Sequence, residues 1–338
     1  MIGKYKNICS VSTVYSLLLY LLYSKEEDIN RTFFFFHSSI SDEISNKFAG
    51  QYYKKPLSSL KINQSAIFRL LIWYRYIKYC KLPSFRGKKL FMQDHLEYCP
   101  VFIGRKRYTL IEDAPGALNF YADGYWGKRD REIQSYGSYK YKQILCGPTM
   151  CKTFGHNDQC TDVLLSTKYD LDYLKKKTLH YVNVKEKWNE LSSGKKDYIC
   201  RILSIDNNLL DSLRSRKIIL FTQPLYKGAV KMNVHEDLHR RLIAKYPQED
   251  LLIKPHPRDL FSYETAYPNA VVVRSSLPSQ LLYLLGIKFE KAVTLFSTAV
   301  YDMGYDLQID WYGAECHPDV LKYCGHVDPP VGANICKL

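Results

Sequence analysis

The chain has 338 residues, of which 46% are apolar and 24% are charged, and this globular composition excludes a disordered chain. The length is sufficient for two domains with a full core in each. The formal net charge of +14 favours an anionic partner, such as a nucleic acid, an acidic membrane surface or a phosphorylated small molecule. The ten cysteines are scattered, which is typical of reduced cytoplasmic thiols and not of a disulfide framework.

The first apolar run, residues 8–23, is the candidate for an export signal. Lys4 and Lys6 precede it, but Ser and Thr residues interrupt it and no small-residue cleavage site precedes Lys25. The sequence contains no run of 18 consecutive apolar residues, so we expect no membrane span. These features predict a cytoplasmic protein.

Strands and helices alternate along the first half of the chain. A buried strand and a Ser/Thr turn are predicted from Asn7 to Val14, with Ser12 or Thr13 as the cap of a helix that ends at Ser24. Further strands are predicted at 31–37, 88–92, 108–111 and 162–166, and a helix at 64–80. This alternation predicts a parallel sheet with right-handed crossovers. Residues 122–160 are rich in Gly, Tyr and Lys and are interpreted as a mobile loop.

The second half of the chain repeats the alternation. Strands are predicted at 217–221, 251–253, 270–273 and 291–296, and helices at 235–246 and 278–285, whereas the tail from Asp310 is expected to be irregular. The charged segment 185–197 is interpreted as the junction. The sequence therefore predicts an α/β fold of two Rossmann-like domains, 1–187 and 188–338, whose sheets face a central cleft and whose final residues pack back on the first domain.

The most distinctive segment is a strand that ends in a turn bracketed by two prolines. Pro255 and Pro257 restrict the backbone on both sides of His256, so the imidazole is presented at the carboxyl end of a strand. Ligands of open α/β sheets bind outside these ends, and the neighbouring Lys254 and Arg258 suit a phosphate. The alternative is a surface turn with a solvated histidine.

Three pairs of polar residues also follow predicted strands. The carboxylates of Glu112-Asp113 can supply a general base, although a turn-forming aspartate before a Pro-Gly pair explains them too. The hydroxyls of Ser297-Thr298 can bind an anion together with nearby backbone N–H groups, or simply cap a helix. The same two interpretations apply to Ser12-Thr13.

Two segments have spacings that a metal site could use. One set consists of Cys146, Cys151, His156 and Cys160. Its C-x4-C-x4-H-x3-C spacing lacks the tight C-x2-C pairs of structural zinc sites. Asp170 and Asp172 form a D-x-D pair, but they precede a lysine run, which is typical of a helix start. We therefore expect no metal site.

Taken together, these segments resemble bacterial sialyltransferases of the GT-B type, above all the lipooligosaccharide sialyltransferases of glycosyltransferase family 52. Such proteins share an acidic motif, a later HP motif and a final Ser/Ser-Thr motif, which are here Glu112-Asp113-Ala114, His256-Pro257 and Ser297-Thr298. Gln93-Asp94-His95-Leu96 resembles the segment before the acidic motif, and Leu277-Pro278-Ser279-Gln280 resembles a Pro-x-Glu segment. Ala114 replaces the motif glycine, and Gln280 replaces the usual glutamate.

The resemblance implies transfer of sialic acid, with inversion, from CMP-sialic acid to a galactose-type hydroxyl of a lipooligosaccharide or capsule. Asp113 is then the expected base, with Glu112 as the runner-up, and His256 is expected to donate a hydrogen bond or a proton to the phosphate. The expected substrate-binding residues are Lys254, Pro257, Pro278, Gln280, Ser297, Thr298, Ser12, Thr13, Asp94 and His95.

The resemblance also implies that the enzyme needs no cofactor and no metal. The basic surface favours an acidic lipid-linked acceptor and peripheral contact with the inner face of the cytoplasmic membrane. Basic clusters at 105–107, 175–177 and 240–241 are dispersed, so no nucleic-acid partner is expected. The sequence leaves a homodimer as one possible oligomeric state. Two alternatives remain: a GT-B enzyme that uses another nucleotide sugar, and a non-catalytic basic module that binds nucleic acid or membrane.

Overall fold

A computed structural model describes residues 4–54, 87–96, 99, 103, 106–121, 153–256, 258–274, 279–300, 303 and 307–338. The chain divides into two compact units, Met1–Ser204 and Ile205–Leu338, and each contains one parallel sheet. The α/β class with two parallel sheets is therefore confirmed. The predicted helix at 64–80 and most of the predicted loop, residues 122–152, lie outside the described residues.

The first unit is organised by a seven-stranded sheet. Its strands are β1 (Asn7–Val11), β2 (Thr32–Phe36), β3 (Tyr52–Lys54), β4 (Lys89–Met92), β5 (Tyr108–Ile111), β6 (Cys160–Leu165) and β7 (Thr178–Tyr181). They follow the order β3-β2-β1-β4-β5-β6-β7, and every neighbouring pair is parallel. Every residue of β1 and β2 is buried, as in parallel sheets that are covered on both faces.

Most helices in the described part of the first unit begin at a side-chain cap. The helices are α1 (Val14–Tyr23), α2 (Glu26–Asn30), α3 (Asp42–Asn46), α4 (Val184–Glu190) and α5 (Ser193–Ile202). Thr13 caps α1 by accepting a hydrogen bond from the backbone N–H of Ser16, which confirms one of the two predicted caps. Tyr20 on α1 packs edge-on against Phe34 and Phe91, and so joins the helix to the sheet.

The division between the units falls after Ser204, later along the chain than the predicted junction between residues 187 and 188. The charged segment interpreted as a linker forms α4 and α5, which are capped by Asn183 and Ser192. α4 packs against α1, and Lys195 on α5 donates a hydrogen bond to the carbonyl oxygen of Ser24. These contacts explain why residues 188–204 stay with the first unit.

The second unit has a six-stranded sheet in the order β10-β9-β8-β11-β12-β13. The strands are β8 (Ile218–Phe221), β9 (Leu251–Lys254), β10 (Val271–Val272), β11 (Lys291–Thr294), β12 (Gln308–Trp311) and β13 (Asn334–Ile335). The helices are α6 (Asn207–Arg214), α7 (Met232–Ile243), α8 (Tyr263–Ala266), α9 (Ser279–Leu284) and α10 (Pro318–Cys324). This strand order is the 3-2-1-4-5-6 order of Rossmann folds.

The tail from Asp310 is regular, and the prediction that it is irregular was wrong. It completes the sheet with β12 and β13, and its Asp310 carboxylate accepts hydrogen bonds from Tyr246 and Asn334. The final residues pack on the second unit, since Arg241 donates to the carbonyl oxygen of Leu338 and Leu338 packs against this unit's core. A strand as short as β13 shows no alternation from which it could be predicted.

None of the helices within the described ranges has the length and apolar character needed to cross a membrane.

We expect Leu18→Ala to lower the free energy of unfolding of the first unit by about 2–5 kcal/mol, because the side chain is fully buried and its loss leaves a cavity. The matched control is Leu179→Ala on β7, where the leucine is 46% exposed, with an expected change within about 0.5 kcal/mol. Urea denaturation followed by circular dichroism measures both. Equal losses in the two variants would contradict the described packing of α1.

Candidate functional site

Polar residues of the first unit collect at the carboxyl ends of three neighbouring strands. Ser12-Thr13 follow β1, Gln93-Asp94-His95 follow β4, and Glu112-Asp113 follow β5. Since β1, β4 and β5 are adjacent and parallel, these ends lie at the same edge of the sheet. The structure therefore brings together residues that are about a hundred positions apart in the sequence.

Asp113 is held at this edge through one of its two carboxylate oxygens. Its Oδ1 accepts hydrogen bonds from the amide of Gln93 and, at 3.4 Å, from the hydroxyl of Ser12. Its backbone carbonyl accepts from the hydroxyl of Thr13 at 3.0 Å. No donor among the described residues bonds its Oδ2, and the side chain is half-buried. Asp113 is thus oriented by the protein while one oxygen stays available to a ligand.

Glu112 has a different environment from its neighbour. It is fully buried, and its carboxylate accepts hydrogen bonds from the backbone N–H and hydroxyl of Ser166 at 2.6 and 2.7 Å, and from the hydroxyl of Tyr169. Burial raises the pKa of the carboxyl group above its usual value, against the opposing effect of these hydrogen bonds. Glu112 joins the end of β5 to the end of β6, and its oxygens are not exposed to a substrate.

Asp94 was predicted to bind substrate, but the structure buries it completely. Its carboxylate accepts hydrogen bonds from the hydroxyl of Tyr108 at 2.5 Å and from the backbone N–H groups of Phe154 and Gly155 at 2.6 and 2.9 Å. Phe154 has φ +55°, a left-handed conformation that is rare outside glycine. His95 is half-buried, and its ring stacks on Phe154 with 4.6 Å between the centroids. Asp94 thus holds the segment that leads into β6, and a direct contact with substrate is not what its position favours.

Ser12 and Thr13 were considered as an anion site. Thr13 caps α1, and both hydroxyls bond Asp113, so an anion bound there would meet a carboxylate. The structure instead makes them part of the support of Asp113. Gln93 belongs to the same support, because its amide also donates to Ser16 at 2.8 Å. It was not predicted as a site residue.

In the second unit, His256 lies in the turn that follows β9. Its backbone N–H donates to the hydroxyl of Thr222 at 3.2 Å, and its ring Nδ1 accepts from the backbone N–H of Arg258 at 3.0 Å. Since Nδ1 accepts, the neutral ring carries its proton on Nε2, which is then a donor. Burial, followed by the positive charges of Arg258 and Lys254, lowers the pKa of His256 to about 4. The imidazole is therefore a neutral hydrogen-bond donor near pH 7.

The other predicted residues of this unit lie at the same sheet edge. β9, β8 and β11 are adjacent and parallel, so the ends that carry His256, Thr222 and Ser297 are neighbours, with about 4.8 Å between strands. Burial lowers the pKa of Lys254 at the end of β9 to about 8. Ser297 is half-buried and accepts a hydrogen bond from the backbone N–H of Ala299 at 3.4 Å. Pro257 and Pro278 lie outside the described residues, as do the side chains of Gln280 and Thr298.

Asp259 supports the turn and was missed in the sequence. Its carboxylate is 1% exposed and accepts hydrogen bonds from Thr222 at 2.7 Å and from Tyr263 at 3.0 Å. Because Thr222 in turn accepts from the backbone of His256, Asp259 braces the segment that presents the imidazole. Its position two residues after the HP motif was the sequence signal that could have indicated this role. A sequence does not show, however, that a charged residue is buried.

The two segments with metal-like spacings are only partly described by the structure, and the expectation that they bind no metal stays a prediction. Asp170 and Asp172 are exposed and form ion pairs with Lys175 at 3.6 and 2.6 Å. Cys160 is buried in the core of the first unit, and His156 stacks on Tyr173. Cys146 and Cys151 lie outside the described residues.

Comparison with known proteins gives the family. The model of glycosyltransferase family 52 matches residues 33–318. An uncharacterized protein of Haemophilus influenzae is 29% identical over 239 residues, which cover 70% of this chain and 71% of that protein.

Solved structures give the fold type. A 2,6-sialyltransferase of a Photobacterium, solved with the donor product CMP and the acceptor substrate lactose, has a TM-score of 0.57 at 12% identity and covers 94% of this chain and 73% of that one. The GT-B domain of a Photobacterium damselae sialyltransferase has a TM-score of 0.50 at 10% identity and covers 93% and 94%. With the matching family model and the two Rossmann-type sheets, these findings show that the chain belongs to glycosyltransferase family 52 and is a glycosyltransferase with the GT-B fold.

Proposed function

We propose that the chain is an inverting sialyltransferase that moves sialic acid from CMP-sialic acid to a galactose-type hydroxyl of a cell-surface glycan, such as a lipooligosaccharide or capsule. The observation that carries the proposal is one oriented group at each sheet edge: Asp113, with one oxygen that no described residue bonds, and His256, with its donor proton on Nε2. Transfer from a nucleotide sugar needs one base for the acceptor and one donor for the leaving phosphate. The Photobacterium 2,6-sialyltransferase with CMP and lactose supports the same pair of substrates.

The proposed reaction is a single displacement at the anomeric carbon. The acceptor oxygen forms the new bond, and the bond between that carbon and the CMP phosphate oxygen breaks through an oxocarbenium-like transition state. Asp113 takes the proton of the acceptor hydroxyl, and CMP leaves with the electron pair. A single displacement inverts the configuration at the anomeric carbon.

Negative charge grows on the phosphate as CMP leaves, and the groups after β9 and β11 suit its stabilisation. His256 donates from Nε2, while Lys254, Arg258 and the hydroxyl of Ser297 supply positive charge and a further donor. The side chains of Gln280 and Thr298 keep the predicted roles of nucleoside and phosphate contacts. We propose that these groups carry the displacement without a metal or a cofactor.

Glu112 was the alternative base, and its environment favours Asp113 in that role. Both oxygens of Glu112 accept hydrogen bonds inside the protein, whereas Asp113 is half-exposed. We propose that Glu112 and Asp94 are positioning residues. The formal charge of +14 supports peripheral contact with anionic lipids at the cytoplasmic membrane surface, where a lipid-linked acceptor would be met.

We expect the protein to transfer sugar to a galactose-terminated acceptor from CMP-sialic acid and not from UDP- or GDP-sugars. The reason is that the proposed site stabilises a single phosphate, whereas UDP- and GDP-sugars carry a diphosphate. The product is measured with a radiolabelled donor or by mass spectrometry. Boiled protein serves as the control. Transfer from a UDP- or GDP-sugar alone would replace the proposal by the other GT-B activity, and binding of anionic lipid without any transfer would favour the non-catalytic module.

We expect Asp113→Asn to lower kcat by about 10²–10⁴, because the amide cannot accept the acceptor's proton. Asp170→Asn is the matched control, since Asp170 is an exposed carboxylate outside the site and its variant should retain full activity. Initial rates and circular dichroism spectra of both variants give the comparison. An Asp113→Asn variant with unchanged kcat would remove Asp113 as the base.

We expect His256→Ala to lower kcat by about 10²–10³, because the leaving phosphate loses one positioned donor. The control is His326→Ala, which changes an exposed histidine that pairs with Glu315 and Asp328. Steady-state kinetics with CMP-sialic acid as the varied substrate separate the effects on kcat and KM. A change confined to KM would show that His256 binds the donor without stabilising the transition state.

A further inference from the structure

The second unit contains a buried cluster of three possible metal ligands outside the proposed transfer site. His235 and His239 lie on α7, and Asp259 follows the turn after β9. The two histidines are 0% exposed and Asp259 is 1% exposed. One ligand atom from each lies within 4.8 Å of the other two. The sequence places the histidines in a His-Glu-Asp-Leu-His run, the H-E-x-x-H spacing that sets two imidazoles one helical turn apart.

The imidazole nitrogens of this cluster lack the partners that buried polar atoms normally have. Nδ1 of His239 donates to the carbonyl oxygen of His235 at 2.9 Å, which leaves a lone pair on Nε2. No group in the described part of the chain bonds that Nε2 or Nδ1 of His235, and the neighbour of His235 Nε2 is Oδ1 of Asp259 at 3.2 Å. Buried polar atoms without a partner are rare in native proteins, so two such nitrogens in one cluster require an explanation.

A bound metal ion explains why these buried nitrogens have no hydrogen-bond partner. Two imidazoles and one carboxylate are a known set of three protein ligands for zinc, with a water in the fourth position. The hydrogen bond from Nδ1 of His239 to a backbone carbonyl is also typical of metal ligands, because it fixes the ring with Nε2 towards the ion. Nε2 of His235 lies 3.2 Å from Oδ1 of Asp259. Ligands on one tetrahedral zinc ion, with bonds of about 2.0 Å, are about 3.3 Å apart.

We propose that His235, His239 and Asp259 bind a divalent transition-metal ion, with zinc as the preferred ion. The three ligand atoms lie within 4.8 Å of one another, which is close enough for one ion to contact all three after small side-chain shifts. The site goes beyond the proposed transfer reaction, and none of its ligands is assigned a role in that chemistry.

The ion is structural. In metalloproteases the H-E-x-x-H glutamate acts on a water bound to an open zinc position. Here all three ligands are buried, so a substrate has no access to the ion. The ion instead links α7 to Asp259. Since Asp259 accepts from Thr222, and Thr222 accepts from the backbone of His256, the ion braces the turn that presents the imidazole.

A metal-free ion pair between His235 and Asp259 is the competing explanation, and metal analysis separates the two. The untagged full-length chain, purified without chelators, is assayed for metals by mass spectrometry, and the metal-depleted chain is then titrated with Zn²⁺ and with Co²⁺. We expect one zinc per chain, a rise in Tm on addition of zinc but not of Mg²⁺, and visible absorption bands of tetrahedral cobalt.

Two substitutions at one position make the test specific for this cluster. His239→Gln should raise the Kd for zinc on the order of 100-fold or more, since loss of even an outer hydrogen-bond partner costs 10–100-fold. His239→Cys should keep the metal and add a near-ultraviolet thiolate-to-cobalt band. His326→Gln is the matched control, because His326 is exposed and far from the cluster in sequence, and its variant should bind zinc as the parent does.

The outcomes decide the proposal even if His239→Gln fails to fold. A parent chain that carries no metal, shows no Tm change with zinc and gives no cobalt bands overturns it. Cobalt bands that persist in His239→Gln, or a His239→Cys variant that binds cobalt without the thiolate band, place the metal elsewhere and overturn it too. Activity is not part of the readout, so failure of the metal site leaves the transfer proposal standing.

Discussion

The structure depends on one constraint, which is that neighbouring parallel strands end at the same edge of their sheet. This constraint brings Ser12, Gln93 and Asp113 to one edge of the first sheet, and Thr222, His256 and Ser297 to one edge of the second. Hydrogen bonds then convert proximity into orientation. The amide of Gln93 fixes one oxygen of Asp113, and the backbone of Arg258 fixes the tautomer of His256. Both groups are therefore prepared before any ligand arrives.

Burial separates the roles of residues that look alike in the sequence. Glu112 and Asp113 are adjacent carboxylates, but one is enclosed by Ser166 and Tyr169 and the other is half-exposed. A buried carboxylate whose oxygens accept hydrogen bonds stabilises the strand ends, whereas an exposed one can react. The HP turn shows the same division of roles. His256 presents a hydrogen-bond donor, and the buried Asp259 stabilises the turn.

The sequence predicts the parallel sheets and the strand ends well, because hydrophobic runs and the polar residues after them are local patterns. The expectation that Asp113 and His256 are site residues has the same origin, because both follow predicted strands, and it stays a prediction. The sequence does not separate Asp94 from Asp113, since both follow strands and only tertiary packing buries Asp94. The cluster of His235, His239 and Asp259 was not predicted, for a related reason. Its histidines are one turn apart, but Asp259 comes from a later turn, and side-chain convergence of this kind has no local signal.

The left-handed backbone at Phe154 has a consequence for how the first sheet is held together. A non-glycine residue in this conformation costs on the order of 1–3 kcal/mol, and it persists only where its surroundings enforce it. Here the enforcement comes from Asp94, whose two carboxyl oxygens accept hydrogen bonds from the N–H groups of Phe154 and Gly155. The chain thus fills a nest of backbone N–H groups with one of its own side chains, and the connection into β6 keeps its shape without a bound ligand.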